Sequence, residues 1–199
     1  MNFLAHLYLS HNHPKVMLGN FIGDFVKGRN VAERYEPGIA TGIELHRAID
    51  EYTDSHEVVK ESKNRLRPKY RHYSGVIVDV FYDHFLAANW SDYHEQPLRE
   101  YAAHAYYLVQ SNLISLPDQV GSMLPYMIQT NWLVSYSEIE GVNRALTGMS
   151  RRTPFESKMN EASADLREHY NDFQKEFKAF FPDAITFSKE FLSKHRFDS

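Results

Sequence analysis

His46 and Asp50 stand four residues apart in the segment Leu45-His46-Arg47-Ala48-Ile49-Asp50. On a helix this spacing puts an imidazole and a carboxylate on one face, where both can point at one ion. Asp54 continues the same line by one turn. A second segment, Asp79-Val80-Phe81-Tyr82-Asp83-His84, repeats the spacing with two carboxylates inside an apolar run. A buried carboxylate without compensation is strongly unfavourable or takes up a proton, and a divalent cation removes that penalty. His6, in Asn2-Phe3-Leu4-Ala5-His6, and Asp24, four residues after Asn20, supply two further donors. Imidazoles and carboxylates without sulfur suit manganese, magnesium, iron(II) or zinc, with manganese or magnesium the preferred choice. An ion held this way activates water for phosphoester hydrolysis.

Each pair also has a purely structural explanation. His46 and Asp50 could form an intrahelical ion pair, Asp79 and Asp83 could bridge to Arg47 or Arg71, and His6 could be a core histidine bonded to a carbonyl. Four segments within the first 84 residues share the pattern, which favours a common ion over separate coincidences. His11, His13, His56, His94, His104, His169 and His195 lack a facing carboxylate pair and receive no role.

The elements that must position these residues read as helices throughout. Apolar residues recur at steps of three and four, and no Asn-Gly or Asp-Gly hairpin signal occurs. The pattern predicts a short helix after an Asn2 cap, a second over 15–27, and a long one over 39–65 that ends before Pro68, with Gly42 weakening it only slightly. Further helices are predicted over 74–90 and 98–114, around Trp132, and over 155–180 and 182–194. With no repeat or linker, the expectation is one all-α domain over residues 1–199.

Composition narrows the chemistry. The absence of cysteine excludes thiolate nucleophiles and zinc-thiolate sites and fits a reducing compartment, so a cytoplasmic location is expected. The first ten residues lack the features of a signal peptide, no segment is long enough for a membrane span, and a net charge of -4 gives no global reason to bind nucleic acid. Gly23 and Gly28 have phosphate-loop spacing, but Arg29-Asn30 stands where Lys and Ser/Thr are required. No His-Glu-x-x-His, Glu-x-x-His or Gly-x-Ser-x-Gly motif is present. One local charge cluster does stand out. Lys60, Lys63, Arg65, Arg67, Lys69 and Arg71 face only Glu61, between the two carboxylate-bearing segments, where they could steer an acidic macromolecule or a phosphate-rich ligand.

Together, Met1-Asn2-Phe3-Leu4-Ala5-His6, Gly19-Asn20 with Asp24-Phe25-Val26-Lys27-Gly28, Gly42-Ile43 with Leu45-His46-Arg47 and Ile49-Asp50, and Asp79-Val80 with Asp83-His84-Phe85-Leu86 resemble the acyl carrier protein phosphodiesterase family. The similarity continues through Gln129, Trp132-Leu133-Val134 and Gly148-Met149-Ser150-Arg151-Arg152. The resemblance implies an all-helical relative of HD-domain phosphohydrolases that uses manganese to release 4'-phosphopantetheine from holo acyl carrier protein. It implies metal ligands among His6, Asp24, His46, Asp50, Asp79, Asp83 and His84, with Asp24 foremost. Lys27 and Arg47 would neutralise phosphoryl charge, a free carboxylate would handle the proton, and the basic cluster would dock the acidic carrier. No His-Asp dipeptide occurs, so the HD ligand set does not transfer directly. A phosphohydrolase of a small nucleotide or other phosphodiester and a non-enzymatic helical binding module are the competing expectations.

Overall fold

The computed structural model describes residues 1–195, and every regular element among them is helical. The helices are α1 (Phe3–Tyr8), α2 (Pro14–Ile22), α3 (Pro37–Ser55), α4 (Glu57–Tyr70), α5 (Ser74–Ala88), α6 (Leu98–Ser111), α7 (Asp118–Gln129), α8 (Trp132–Ser135), α9 (Ile139–Ser150), α10 (Ala162–Glu168) and α11 (Tyr170–Ser193). None of them is long and apolar enough to cross a membrane.

Helix α5 is the axis of the core. Ile77, Val78, Val80, Phe81, Tyr82, Phe85 and Leu86 are all fully buried, so this helix is apolar around its circumference and is enclosed by its neighbours. One neighbour, α11, buries Phe173, Phe177, Phe180, Phe181 and Ala184 along one stripe. That stripe carries the helix through Pro182, where the sequence predicted a break. Pro182 and Lys178, whose carbonyl loses its N–H partner, are both exposed, so water can serve the unpaired group. Pro68 is tolerated in the last turn of α4 in the same way, with Asn64 and Pro68 exposed.

The predicted 39–65 helix is two helices. His56 takes extended geometry at φ -71°, ψ 130°, ending α3 and starting α4, although the apolar periodicity passes through it. The predicted 155–180 helix is likewise divided, because α10 stops at His169 and α11 begins at Tyr170. Helix α2 ends at Ile22 rather than Lys27 and gives way to a 3-10 turn over Gly23–Phe25.

The crossing of α2 and α3 governs the site. A Cβ on Gly19 would lie 2.0 Å from the Ile39 carbonyl oxygen, and one on Gly42 would lie 2.2 Å from that of Val16. The two backbones touch, and only glycine permits it. Gly42 is therefore a packing requirement of α3, contrary to its reading as a minor weakness.

Asp83 fixes the start of α1 against α5. Its carboxylate is fully buried and accepts the backbone N–H groups of Asn2 at 3.3 Å, Leu4 at 2.8 Å and Ala5 at 3.2 Å. It satisfies donors that a helix N-terminus leaves without intrahelical partners. Asp83→Ala should lower stability by about 3–5 kcal/mol, read from chemical unfolding, because buried N–H groups lose a charged acceptor. At the other end of α1, His11 Nε2 meets Ser188 Oγ on α11 at 2.8 Å. Burial, then Lys189 and His13, push its imidazole down to about 4. The unfolded chain thus binds the proton that the folded chain refuses. The stability contributed is complete above about 6.5 and is lost as the pH falls toward 4, and His11→Asn should flatten that part of the stability profile.

Candidate metal centre

Three side chains from α1 and α3 converge. One ligand atom each from His6, His46 and Asp50 lies within 4.8 Å of the others. Asp50 Oδ1 is 3.2 Å from His6 Nε2, and its Oδ2 is 3.3 Å from His46 Nε2. The two imidazoles stack at 3.9 Å between centroids, with their planes 15° apart. Asp24, on the 3-10 turn after α2, brings its Oδ1 to 3.2 Å from His46 Nε2. Gly23 makes the seat for this ring, since a Cβ there would stand 2.2 Å from His46 Cγ.

The far nitrogens decide what the near ones can do. Asn20 Nδ2 donates to the His6 carbonyl at 2.7 Å and to Ser10 Oγ at 3.0 Å, which leaves Asn20 Oδ1 as an acceptor facing His6 Nδ1 at 2.8 Å. His46 Nδ1 donates to the backbone carbonyl of the same Asn20 at 2.8 Å. Both rings therefore carry hydrogen on Nδ1 and turn Nε2 toward carboxylate oxygens. Burial and the neighbouring His46 push His6 down to about 4, with the Asp50 carboxylate beside its Nε2 pulling the other way. Burial opposes charge on His46, but Asp24 and Asp50 outweigh it and carry this imidazole up to about 9. Burial also works against the Asp50 carboxylate, yet His46, His6 and the Met1 amino group hold it well below the usual range. The donor set of two imidazoles and one or two carboxylates, each ring held by a second partner, fits a divalent cation.

The other expected ligands have different places. Asp79 borders the centre and contacts the Met1 amino group at 3.0 Å, which also lies 3.6 Å from Asp50. Asp83 is directed at the α1 backbone, as described, and does not join the histidines. His84 uses Nδ1 on the Tyr136 carbonyl at 2.8 Å and Nε2 on the Tyr170 hydroxyl at 3.1 Å, away from the cluster. Asp54 pairs with Lys63.

Neither of the expected phosphate-neutralising residues lines the cavity over the centre. Arg47 donates to the Val26 carbonyl at 2.8 Å, and Lys27 is exposed on the loop after the 3-10 turn, where its carbonyl accepts Arg34. A cavity of about 390 Å³ opens on the centre, bordered by Asp24, Asp50 and Asp79, and the arginine on its wall is Arg152 from the end of α9.

The basic cluster is largely neutralised within the chain. Lys60 pairs with Glu57, Lys63 with Asp54, and Lys69 with Glu161 and Asp165. Arg65 turns inward to a two-pronged pair with the buried Glu176, at 2.6 and 2.8 Å. Among the described residues only Arg67 and Arg71 of the six have no carboxylate partner. Glu57 and Asp54 are local to the cluster, but nothing in the local sequence shows Glu161, Asp165 and Glu176, which reach Lys69 and Arg65 from the far end of the chain. Asn20 and Arg152 are the residues that sequence reasoning passed over. Asn20 left a signal, a lone amide in the apolar run from Val16 to Ile22.

In a manganese titration followed by calorimetry, His46→Ala and Asp50→Ala should lose binding outright, Asn20→Ala should weaken it by about 10–100-fold, and His84→Phe should leave it unchanged.

The family model for acyl carrier protein phosphodiesterases matches residues 1–184. A protein of Enterobacter sp. named acyl carrier protein phosphodiesterase is 36% identical over 183 residues, covering 92% of this chain and 94% of its own. Proteins of the same name from Escherichia coli O139:H28 and Photorhabdus laumondii are 34% and 32% identical over the same share of this chain, and over 94% and 92% of their own lengths. No solved structure matches the chain with significance. With nearly the whole length matched at this level, the chain belongs to the acyl carrier protein phosphodiesterase family.

Proposed function

We propose that the chain is a metal-dependent phosphodiesterase that hydrolyses holo acyl carrier protein to apo carrier and 4'-phosphopantetheine, with His6, His46 and Asp50 holding a divalent cation, manganese or magnesium. The observation that carries this reading is the pair of Nε2 atoms, both turned by Asn20 toward one carboxylate at the floor of an open cavity. A divalent ion bound there supplies a water of lowered pKa and a Lewis acid for a phosphoryl oxygen.

The chain's own groups have separable tasks. Asn20 engages Nδ1 of both imidazoles and so leaves Nε2 as the nitrogen of each ring that would ligate, the cation displacing the Nε2 proton of His46. Asp24, with its side chain 68% exposed at the cavity edge, is placed to accept the proton of the attacking water. Arg152 reaches the same cavity and offsets charge on the phosphoryl oxygens, the task sequence reasoning gave to Lys27 and Arg47. Water adds to phosphorus, the bond from phosphorus to the carrier serine oxygen breaks, and the proton taken up by Asp24 is returned to the departing oxygen, so that the serine leaves as a hydroxyl.

Carrier docking also moves. Arg144, Arg151 and Arg152 are exposed on and just beyond α9 and have no carboxylate partner among the described residues. An acidic carrier docked on this side would bring its serine to the cavity that Arg152 borders. Incubation with manganese and holo carrier should produce apo carrier by mass spectrometry, with EDTA or Asp50→Ala suppressing the reaction. Arg151→Glu should reduce cleavage of the carrier by about tenfold or more and spare a small phosphodiester. An equal loss on both substrates would favour a small-molecule phosphohydrolase.

A further inference from the structure

A second cavity, of about 620 Å³, lies between α7, α8 and α9. Its volume is within the roughly 300–1,000 Å³ of pockets that enclose small organic ligands. It is not isolated. Phe25, Met123, Trp132 and Arg152 line both this cleft and the cavity over the metal centre, so the two meet along a shared wall.

The walls specify the kind of occupant. Met123, Tyr126 and Trp132 give an apolar face, with Tyr126 and Trp132 edge-to-face at 6.0 Å. Gln119, Ser122 and Thr130 add amide and hydroxyl groups at intervals. Cations occur only as Arg144 and Arg152, and the latter stands where the cleft joins the metal-facing cavity. That sequence of surfaces, with charge at the junction and apolar and hydrogen-bonding groups beyond it, complements a phosphate followed by an uncharged chain carrying amides. The position of the wall is tied to the metal centre. Tyr136 Oη accepts Trp132 Nε1 at 2.7 Å and Asn2 Nδ2 at 3.0 Å, and Asn2 caps the helix that bears His6.

We infer that this cleft is the binding site for the pantetheine arm of the substrate, with Arg152 at the phosphate end and Trp132 against the chain. The inference rests on the phosphodiesterase reading and adds to it the site that selects the leaving arm. Gly148 offers a direct probe, because it lines the cleft on α9 and a Cβ there would meet nothing within 4 Å. The first atom of a side chain there is free of contacts, so Gly148→Phe should direct its ring into the cleft, and it replaces a poor helix former with a better one.

The test uses pantetheine, which lacks the phosphate, added to the 15N-labelled full chain. The two tryptophans give separate indole signals, and Trp90, which packs on Tyr101 and His94, serves as the internal control. The Trp132 signal should shift saturably with the Trp90 signal still, and Gly148→Phe should abolish the shift. In parallel, Gly148→Phe should lower kcat/KM for holo carrier by about tenfold or more, a larger loss than for bis(p-nitrophenyl) phosphate. A Trp132 signal unmoved by pantetheine up to about 10 mM, or wild-type cleavage of holo carrier by Gly148→Phe, would overturn the assignment, a helix of a partner protein then being the better occupant. A saturable Trp132 shift in a protein that cleaves neither diester would leave the cleft assignment standing and overturn the phosphodiesterase reading.

Discussion

The contact between Gly19 and Gly42 is the constraint on which the site depends. It brings the α2 backbone against α3, and the next residue, Asn20, then reaches two histidines at once, one with its side-chain oxygen and the other with its carbonyl. Moving α2 from α3 by the width of a methyl group would separate the Asn20 carbonyl from His46 Nδ1. The His46 ring would then be free to rotate, and His6, which Asn20 holds from α2, would be drawn away from Asp50 on α3. Backbone proximity, in this protein, is how ring protonation is specified.

A similar economy governs the N-terminal turn. Asp83 is a charged group in the most apolar helix of the chain, and its partners are the N–H groups of α1 rather than an ion. It thereby sets the direction of α1 and the position of His6 one turn further on. The residue supports the centre without belonging to it. Arg65 and Glu176 do the same for α4 and α11, with Ser62 and Tyr82 completing a buried network between these helices and α5.

The all-helical fold was legible because apolar residues at steps of three and four leave no reading as strands. The breaks were less so. Proline was weighted as a stop at Pro68 and Pro182, but the packing stripe of each helix passes on the opposite side. The turn at His56 leaves no mark on periodicity, since an extended residue there still keeps the flanking apolar positions in the core. At the site, i and i+4 spacing placed His46 beside Asp50 correctly. The same spacing failed to tell Asp83 from a ligand, because one strand of sequence shows a buried charge without showing what compensates it. The 60–71 cluster shows the same limit in part: Glu57 and Asp54 lie close by in the chain, but the acids that meet Arg65 and Lys69 lie about a hundred residues away. The cleft was invisible, being a property of how three helices meet.

The three side chains that converge, His6, His46 and Asp50, all fall before position 51, whereas those surrounding the cleft, Phe25 apart, fall between 119 and 152. Phe25, Met123, Trp132 and Arg152 are common to both cavities, so a substitution at any of the four reshapes the two spaces together, whereas one at Gln119 or Arg144 alters the cleft alone.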